Sequence, residues 1–456
     1  MTSERRRIWG WYFFDWASQP FSTLLLTFVF GPYFAQAARS HYLGAGLGAD
    51  AAGAAAQSLW GWGLTISGVL IAVLAPILGA IADQAGRRMI WIWVFSALYV
   101  LGSWMLWPLL PDGTGLYAAL FWFGVGLVAM EFATIFTNAL MPDLSGAENM
   151  GRISGNGFAW GYLGGILSLV VVLAVLVESP QTGRTLLGMP PAFGLLDGTA
   201  QQGTRAVGPF TALWYAVFMI PFFLWLREPP RPKGRTDVPA ALRSLLMLLR
   251  SLPSRSSLFA FLVSSMLYRD ALNGLYGIGG VYAAGVLGWS VTQMGVFGIV
   301  SALAAMVASW LGGRADARFG PKPVILASLV VLVIVCILLV GISRTHIFGL
   351  PLAEGSVAPD VLFYVIGALI GAGGGVAQAA SRTLMVYHAT PGRETEAFGL
   401  YALSGKATAF IAPGAITFAT MMSGSQQIGI APLIVLFVVG AILLLWVKPN
   451  GTQAGP

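Results

Sequence analysis

Apolar residues in this chain do not alternate with polar ones; they run. Trp60–Ala82, Val207–Leu226 and Ile428–Val447 are each continuous, mostly apolar stretches of the roughly 20 residues a helix needs to cross a bilayer. Hydropathy and helix breakers mark twelve such segments, at 11–38, 60–82, 89–110, 115–141, 153–178, 207–227, 257–287, 291–312, 322–343, 358–385, 394–421 and 426–447. A transmembrane barrel would need strands of about 10 residues with alternating polarity, and these runs show none. The expectation is an all-α membrane protein with about twelve transmembrane helices in two six-helix pseudo-repeats. Residues 1–227 would form an N-terminal bundle, 228–256 a cytoplasmic linker and 257–456 a C-terminal bundle.

Composition agrees with that picture: the 456 residues are 57% hydrophobic and 9% charged, where a soluble domain is about 25% charged. The net charge of +7 is scattered over short loops, which gives no surface for nucleic acid. With the N-terminus inside, 19 Lys and Arg fall on the cytoplasmic side and four (Arg39, Arg184, Arg205, Arg344) on the other. That asymmetry places both termini in the cytoplasm. Arg5–Arg7 ahead of an apolar run, with Ala35-Gln36-Ala37 behind it, imitates a signal peptide, but the run is long, holds Asp15 and precedes many further spans, so it reads as a retained first helix. The single cysteine, Cys336, lies mid-span and forms no internal disulfide. Pro239–Leu252 (PAALRSLLMLLRSL) has two open readings, an ordinary connector or an interfacial amphipathic helix with Arg243 and Arg250 toward headgroups. The outer loops 39–59 and 183–205 are rich in Gly and Ala, and little chemistry is expected there.

Against this apolar background a few ionisable residues are stranded at membrane depth: Asp15, Glu131, Arg269, Asp270 and Lys406. Such groups are expensive in lipid and mark solute, ion or proton paths. Helical spacing extends them into polar stripes: Asp15, Ser18, Gln19 and Ser22; Glu131, Thr134 and Asn138; Arg269, Asn273 and Tyr276; Gln378, Ser381 and Arg382. Acids and bases balance, Asp15, Glu131 and Asp270 against Arg269, Arg382 and Lys406. The halves also repeat. Thr137–Met141 matches Ser381–Met385, and Gly155 and Gly161 match Gly399 and Gly405, all at an offset of 244 residues. Asp15 opens span one as Asp270 interrupts span seven, and Asp83 ends span two as Asp316 ends span eight. Repeats of this kind are a signature of secondary transporters.

Gly79-Ala-Ile-Ala-Asp83-Gln-Ala-Gly86-Arg87-Arg88 resembles the signature loop of the major facilitator superfamily, and Gly312–Lys322 is a degenerate second copy. Asp83 can cap a helix end or pair with an arginine across the two halves to latch one conformation, and Asp83, Arg87, Arg88 and Asp316 are the gating candidates. Tyr12-Phe-Phe-Asp15-Trp16-Ala17-Ser18, Asn138-Ala-Leu-Met-Pro142-Asp143-Leu144 and Glu396-Ala-Phe-Gly399-Leu400-Tyr401-Ala402-Leu403-Ser404-Gly405-Lys406 resemble the autophagy-related vacuolar effluxer-like family, over residues 12 to about 415. Ser18-Gln19 and Asp270-Ala-Leu-Asn273-Gly274 depart from that family's usual pattern. The resemblance implies a major facilitator fold and export of amino acids or similar small solutes, and spans one, four, seven and ten of that fold line the central cavity. Sugar or drug carriage, and a membrane receptor or assembly role without transport, stay open as alternatives.

No enzyme constellation is present. Gly399–Lys406 lacks the Ser or Thr that follows a phosphate-loop lysine, and Gly371–Gly375 has no strand before it. No cofactor or metal is implied. The expected partners are a small-molecule substrate, protons or another coupling ion, and the lipid bilayer, with the protein a monomer in a bacterial inner membrane. The expected substrate contacts are Asp15, Gln19, Arg269, Asp270, Asn273, Gln378 and Lys406. Arg269 or Lys406 would take a carboxylate, and Asp15 or Asp270 an amine. Glu131, with Asp15, is the proton-coupling candidate, because a carboxyl group in an apolar setting can gain and lose a proton during a cycle. The competing reading is that Asp15–Lys406 and Glu131–Arg269 are permanent ion pairs. Trp11, Trp16, Trp160 and Tyr401 either shape a pocket or anchor helix ends.

Overall fold

A computed structural model describes residues 3–179, 182–228, 238–289 and 291–451. Part of the expected linker, 229–237, lies outside the described residues. The described residues are predominantly helical. In order, the helices are α1 (Ser3–Pro20), α2 (Phe30–Gly44), α3 (Ala49–Ala85), α4 (Arg88–Trp104), α5 (Leu116–Asn138), α6 (Met150–Val175), α7 (Gln202–Arg205), α8 (Val207–Phe218) and α9 (Ile220–Trp225). They continue with α10 (Val238–Ser251), α11 (Ser256–Leu287), α12 (Val291–Phe319), α13 (Pro321–Gly341), α14 (Ala358–His388), α15 (Glu394–Ala407), α16 (Ile411–Ser423), α17 (Gln426–Gly429) and α18 (Ala431–Leu445). A two-residue hairpin, β1 (His346–Ile347) with β2 (Leu350–Pro351), sits between α13 and α14. Among the described residues nine helices are long and apolar enough to cross a membrane, or ten when the bent pair at 245–279 counts as one span.

Proline explains where helices differ from the expected segments. The segment expected at 89–110 stops at Trp104, because Pro108 lacks an N–H and its ring collides with the carbonyl four residues back. Pro413 acts in the same way on Ala409, so 394–421 is two helices, α15 and α16, with a turn between them. After Pro20 the α-helix gives way to π-helical Phe21–Phe28, which ends at Val29.

Two compact units emerge from the packing. The first holds 1–74, 86–140 and 160–232; the second holds 75–85, 141–159 and 233–456. The end of α3 and the start of α6 thus pack with the C-terminal helices, across the boundary expected at 227. The first unit is built on stacked rings: Tyr99 lies 3.9 Å from Tyr215, and Phe95 lies 4.8 Å from Phe132. Trp11 Nε1 donates to the Thr137 carbonyl at 2.9 Å, fastening α1 to the end of α5. At the outer end of this unit buried Glu178 accepts the Thr204 N–H. Arg205 donates through Nε and Nη2 to the Trp107 carbonyl.

In the second unit glycines let backbones meet. A Cβ on Gly155 would lie 2.5 Å from Gly313 Cα and from the Ser309 carbonyl, and one on Gly399 would lie 2.6 Å from the Ala75 carbonyl. The residue pair that repeats at an offset of 244 therefore marks two equivalent crossings, α6 on α12 and α15 on α3.

Gly399→Leu is expected to destabilise the protein by roughly 1–3 kcal/mol through overpacking, while Gly414→Ala, which meets open space, leaves it unchanged; thermal unfolding in detergent distinguishes them. Burial pushes the Glu178 carboxyl above its ordinary value. The folded state then binds a proton more readily than the unfolded state, so this group's contribution to stability is lost as pH rises through the raised value. Glu178→Gln should flatten that slope in melting temperature against pH.

Candidate functional site

The first unit carries Asp15 and Glu131. Asp15, Trp16 and Gln19 of α1 lie against a small-residue face of α6. A Cβ on Gly161 would touch Asp15 at 3.3–3.4 Å, one on Gly164 would lie 2.6 Å from the Trp16 carbonyl, and one on Gly165 would lie 2.9 Å from Gln19 Cγ. Asp15 and Gln19 are half-buried. Glu131 and Asn138 are half-buried on α5, with Thr134, whose hydroxyl returns to the Met130 carbonyl. Trp16 and Trp160 help line a cavity of about 230 Å³ walled only by aromatic side chains. Trp11 is committed to Thr137 instead.

The second unit carries the bases. Arg269, on α11, lays its guanidinium over the Tyr401 ring, 4.1 Å from the centroid, and Nη1 donates to the Tyr401 carbonyl at 2.8 Å. Gly405, one turn on from Tyr401, leaves the socket: a Cβ there would sit 2.5 Å from the guanidinium carbon. A guanidinium offers five N–H donors, and the Tyr401 carbonyl takes one. One face of α11 continues through Asn273 and Tyr276, both exposed. The Tyr276 hydroxyl reaches Gly374 of α14, whose carbonyl also accepts from Gln378 Nε2 at 3.3 Å. Lys406 is half-buried beside Gly405. Arg269, Asn273, Tyr276, Gln378 and Lys406 thus belong to one trio of helices, α11, α14 and α15.

Two expected participants turn elsewhere. Asp270 is 2% exposed, and its Oδ2 accepts the Ala412 N–H at 2.8 Å. Through that bond it holds the first turn of α16, whose early N–H groups have no partner within the helix, while its Oδ1 takes no hydrogen bond among the described residues. Arg382, counted in the balanced charge set, is also buried. Its Nε donates to Ser154 Oγ at 2.9 Å and its Nη2 to the Ser154 carbonyl at 2.7 Å, and it lies 4.4 Å over the Phe158 ring.

The gating candidates separate in the same way. Asp83 accepts the N–H groups of Thr395 (3.2 Å) and Glu396 (2.8 Å) at the start of α15. There Arg393 and Glu396 form an i,i+3 ion pair at 2.6 Å. Asp316 is buried against Gly151, at the start of α6. Gly86 takes φ of 63° to turn the chain out of α3, and Arg87 is exposed. Arg88 is fully buried and donates to the Ala139 carbonyl at 2.9 Å, while Glu228 accepts the Arg88 and Met89 N–H groups. These bonds tie Arg88 to the end of α5 and to Glu228. The sequence reading missed Ser154, Glu228 and the Arg393–Glu396 pair; only the last had a local signal, opposite charges three residues apart.

The profile of the family described as "Vacuole effluxer Atg22 like" matches residues 3–453. The chain belongs to the Atg22-like effluxer family. It is 24% identical over 441 residues to the uncharacterised MFS-type transporter YxiO of Bacillus subtilis strain 168, covering 96% of this chain and 94% of that protein. Autophagy-related protein 22 of Cryptococcus neoformans var. neoformans serotype D is 23% identical over 63% of this chain, which spans only 48% of that relative. Among solved structures, the proton:xylose symporter XylE superposes with a TM-score of 0.71 at 12% identity, covering 99% of both chains. The human organic anion transporter MFSD10 gives 0.68 at 19% identity, over 97% and 100%. The fold is that of the major facilitator superfamily, and this Atg22-like protein is a multi-pass membrane transporter and not an enzyme.

Asp270→Ala should lower stability by about 0.5–2 kcal/mol through loss of the cap on α16, with Asp270→Asn milder, read by thermal unfolding in detergent. A role for Asp270 in solute binding would instead show as lost ligand affinity at unchanged stability.

Proposed function

We propose that this Atg22-like protein is a secondary carrier that exports a small carboxylate-bearing solute, an amino acid or a related metabolite, by alternating access. Twelve spans in two six-helix repeats, with both termini cytoplasmic in a bacterial inner membrane, would form its frame. The observation that carries the reading is Arg269: a guanidinium pre-oriented by Tyr401 and Gly405, with further donors available for a bidentate carboxylate contact. Lys406 adds positive charge beside it, and Asn273, Tyr276 and Gln378 supply neutral hydrogen-bonding groups on the same three helices. In the N-terminal half Asp15 and Gln19 are the candidates for the amine, and Glu131 for the coupled proton. Outward direction is supported by the effluxer description of the family. Asp83 on the start of α15 is the proposed latch, with Asp316 at α6 its counterpart.

The test is transport in proteoliposomes across a pH gradient with a panel of amino acids, organic acids and sugars. Arg269→Lys keeps the charge but loses the planar fork, and should raise KM for carboxylate solutes about tenfold or more, as expected for loss of a charge-assisted contact of roughly 1.5–3 kcal/mol. Gly405→Ala should produce the same defect by displacing Arg269. Glu131→Gln should keep solute exchange yet lose its dependence on the proton gradient. Proton-driven movement that survives in Glu131→Gln removes the coupling role, and a sugar transported with full rate by Arg269→Lys removes the carboxylate.

A further inference from the structure

Helix α10 lies outside the transport machinery and is oriented in a way that calls for a partner. The stretch Leu245–Ser254 meets Ser256–Gly279 at 95°. With α11 taken as a membrane span, a helix at that angle runs close to the membrane plane. It sits at the basic end of the second unit. Ser257, at the start of α11, bonds His388 at the end of α14 (2.7 Å) and accepts the Lys448 N–H (2.9 Å), while Lys322 Nζ donates to the Val447 carbonyl (2.7 Å). The segment 227–255 itself holds seven Lys and Arg against two acids, Glu228 and Asp237.

The faces of α10 are sorted. Leu245 and Leu248 are buried on the protein. Arg243 and Arg250, seven residues or two turns apart, share an exposed ridge. Beside it Leu246 and Leu249, three apart, leave apolar side chains exposed, at 48% and 37%. A soluble surface gains nothing from that second ridge. An in-plane helix at the headgroup boundary satisfies both ridges together, with apolar side chains sunk toward the acyl chains and arginines on phosphates.

We propose that α10 is a membrane-surface helix that binds anionic phospholipid, with Arg243 and Arg250 on the phosphates and Leu246 and Leu249 inserted below them. It thereby tethers the connector between the two halves of the chain to the bilayer, and the attachment depends on lipid charge. Each arginine near an anionic surface contributes roughly fivefold in binding, so removing both should weaken it about 25-fold.

The full chain is labelled with an environment-sensitive fluorophore at Leu246→Cys; Cys336 is fully buried and is shielded from the reagent. The protein is placed in nanodiscs of phosphatidylcholine with a rising share of phosphatidylglycerol. The probe emission should shift to the blue as phosphatidylglycerol increases, reverse with added salt and be quenched by lipids carrying shallow spin labels. Arg243→Gln with Arg250→Gln should require several-fold more phosphatidylglycerol, while the double Lys variant stays near the parent. Inorganic phosphate added in detergent should produce no shift. A probe equally shielded at every lipid composition, one that stays in water throughout, or a double Gln variant that responds like the parent overturns the proposal.

Discussion

A charge held inside lipid-embedded helices must find donors or acceptors there, and the ends of neighbouring helices are where unpaired backbone groups are to be had. That constraint organises this molecule. Asp83 takes the N–H groups at the start of α15, Asp270 one at the start of α16, and Arg88 a carbonyl at the end of α5. Each joins segments distant in sequence. Asp83 and Asp270 lie at the starts of the two halves of the same broken segment, 394–421, so each half is held independently. A break at Thr408–Phe410 that would be costly in isolation is tolerated because α16 receives its own carboxylate.

The second requirement is closeness. Carboxylate caps work only if the backbones approach, and Gly79, Gly399, Gly155 and Gly313 allow this by presenting no side chain. The repeat has a physical meaning at these points. Thr137 and Ser381 are 244 residues apart, and each accepts or shares a hydrogen bond with an aromatic residue, Trp11 Nε1 on the Thr137 carbonyl and the Tyr268 hydroxyl on Ser381 Oγ.

Apolar run length revealed the helices, and the isolated charges revealed that polar work is done at depth. What one dimension could not show is which way each charge turns. Arg269 and Asp270 are neighbours in sequence, about 100° apart around a helix, and that rotation sends one to Tyr401 and the other to Ala412. Arg382 read as part of a polar stripe with Gln378 and Ser381, yet Ser154, 228 residues earlier, claims it. Arg88 belongs to a motif whose resemblance implies gating, and its bond to the Ala139 carbonyl has no local sequence signal. The prolines at 108 and 413 stand in plain sight in the sequence, but the apolar runs continue past them, so run length alone does not show that the helices break there.

These contacts make α15 the element through which the proposed chemistry would be transmitted. Its first turn is gripped by Asp83, its flank is pressed on α3 at Gly399, and its far end holds Arg269 through the Tyr401 carbonyl and the gap at Gly405. A solute carboxylate that draws Arg269 forward would compete with the Tyr401 carbonyl for the guanidinium and so change how α15 is held, one short rigid helix away from the Asp83 cap. Coupling between distant sites requires an element whose equilibrium both sites bias. A 14-residue helix tied at one end to the proposed latch and at the other to the proposed solute contact meets that requirement without a longer chain of intermediates. Arg269 and Asp83 are then expected to be energetically coupled despite sharing no contact, and a double-mutant cycle on transport with Arg269→Lys and Asp83→Asn measures it: additive effects would mean that α15 only supports the site and does not carry the signal.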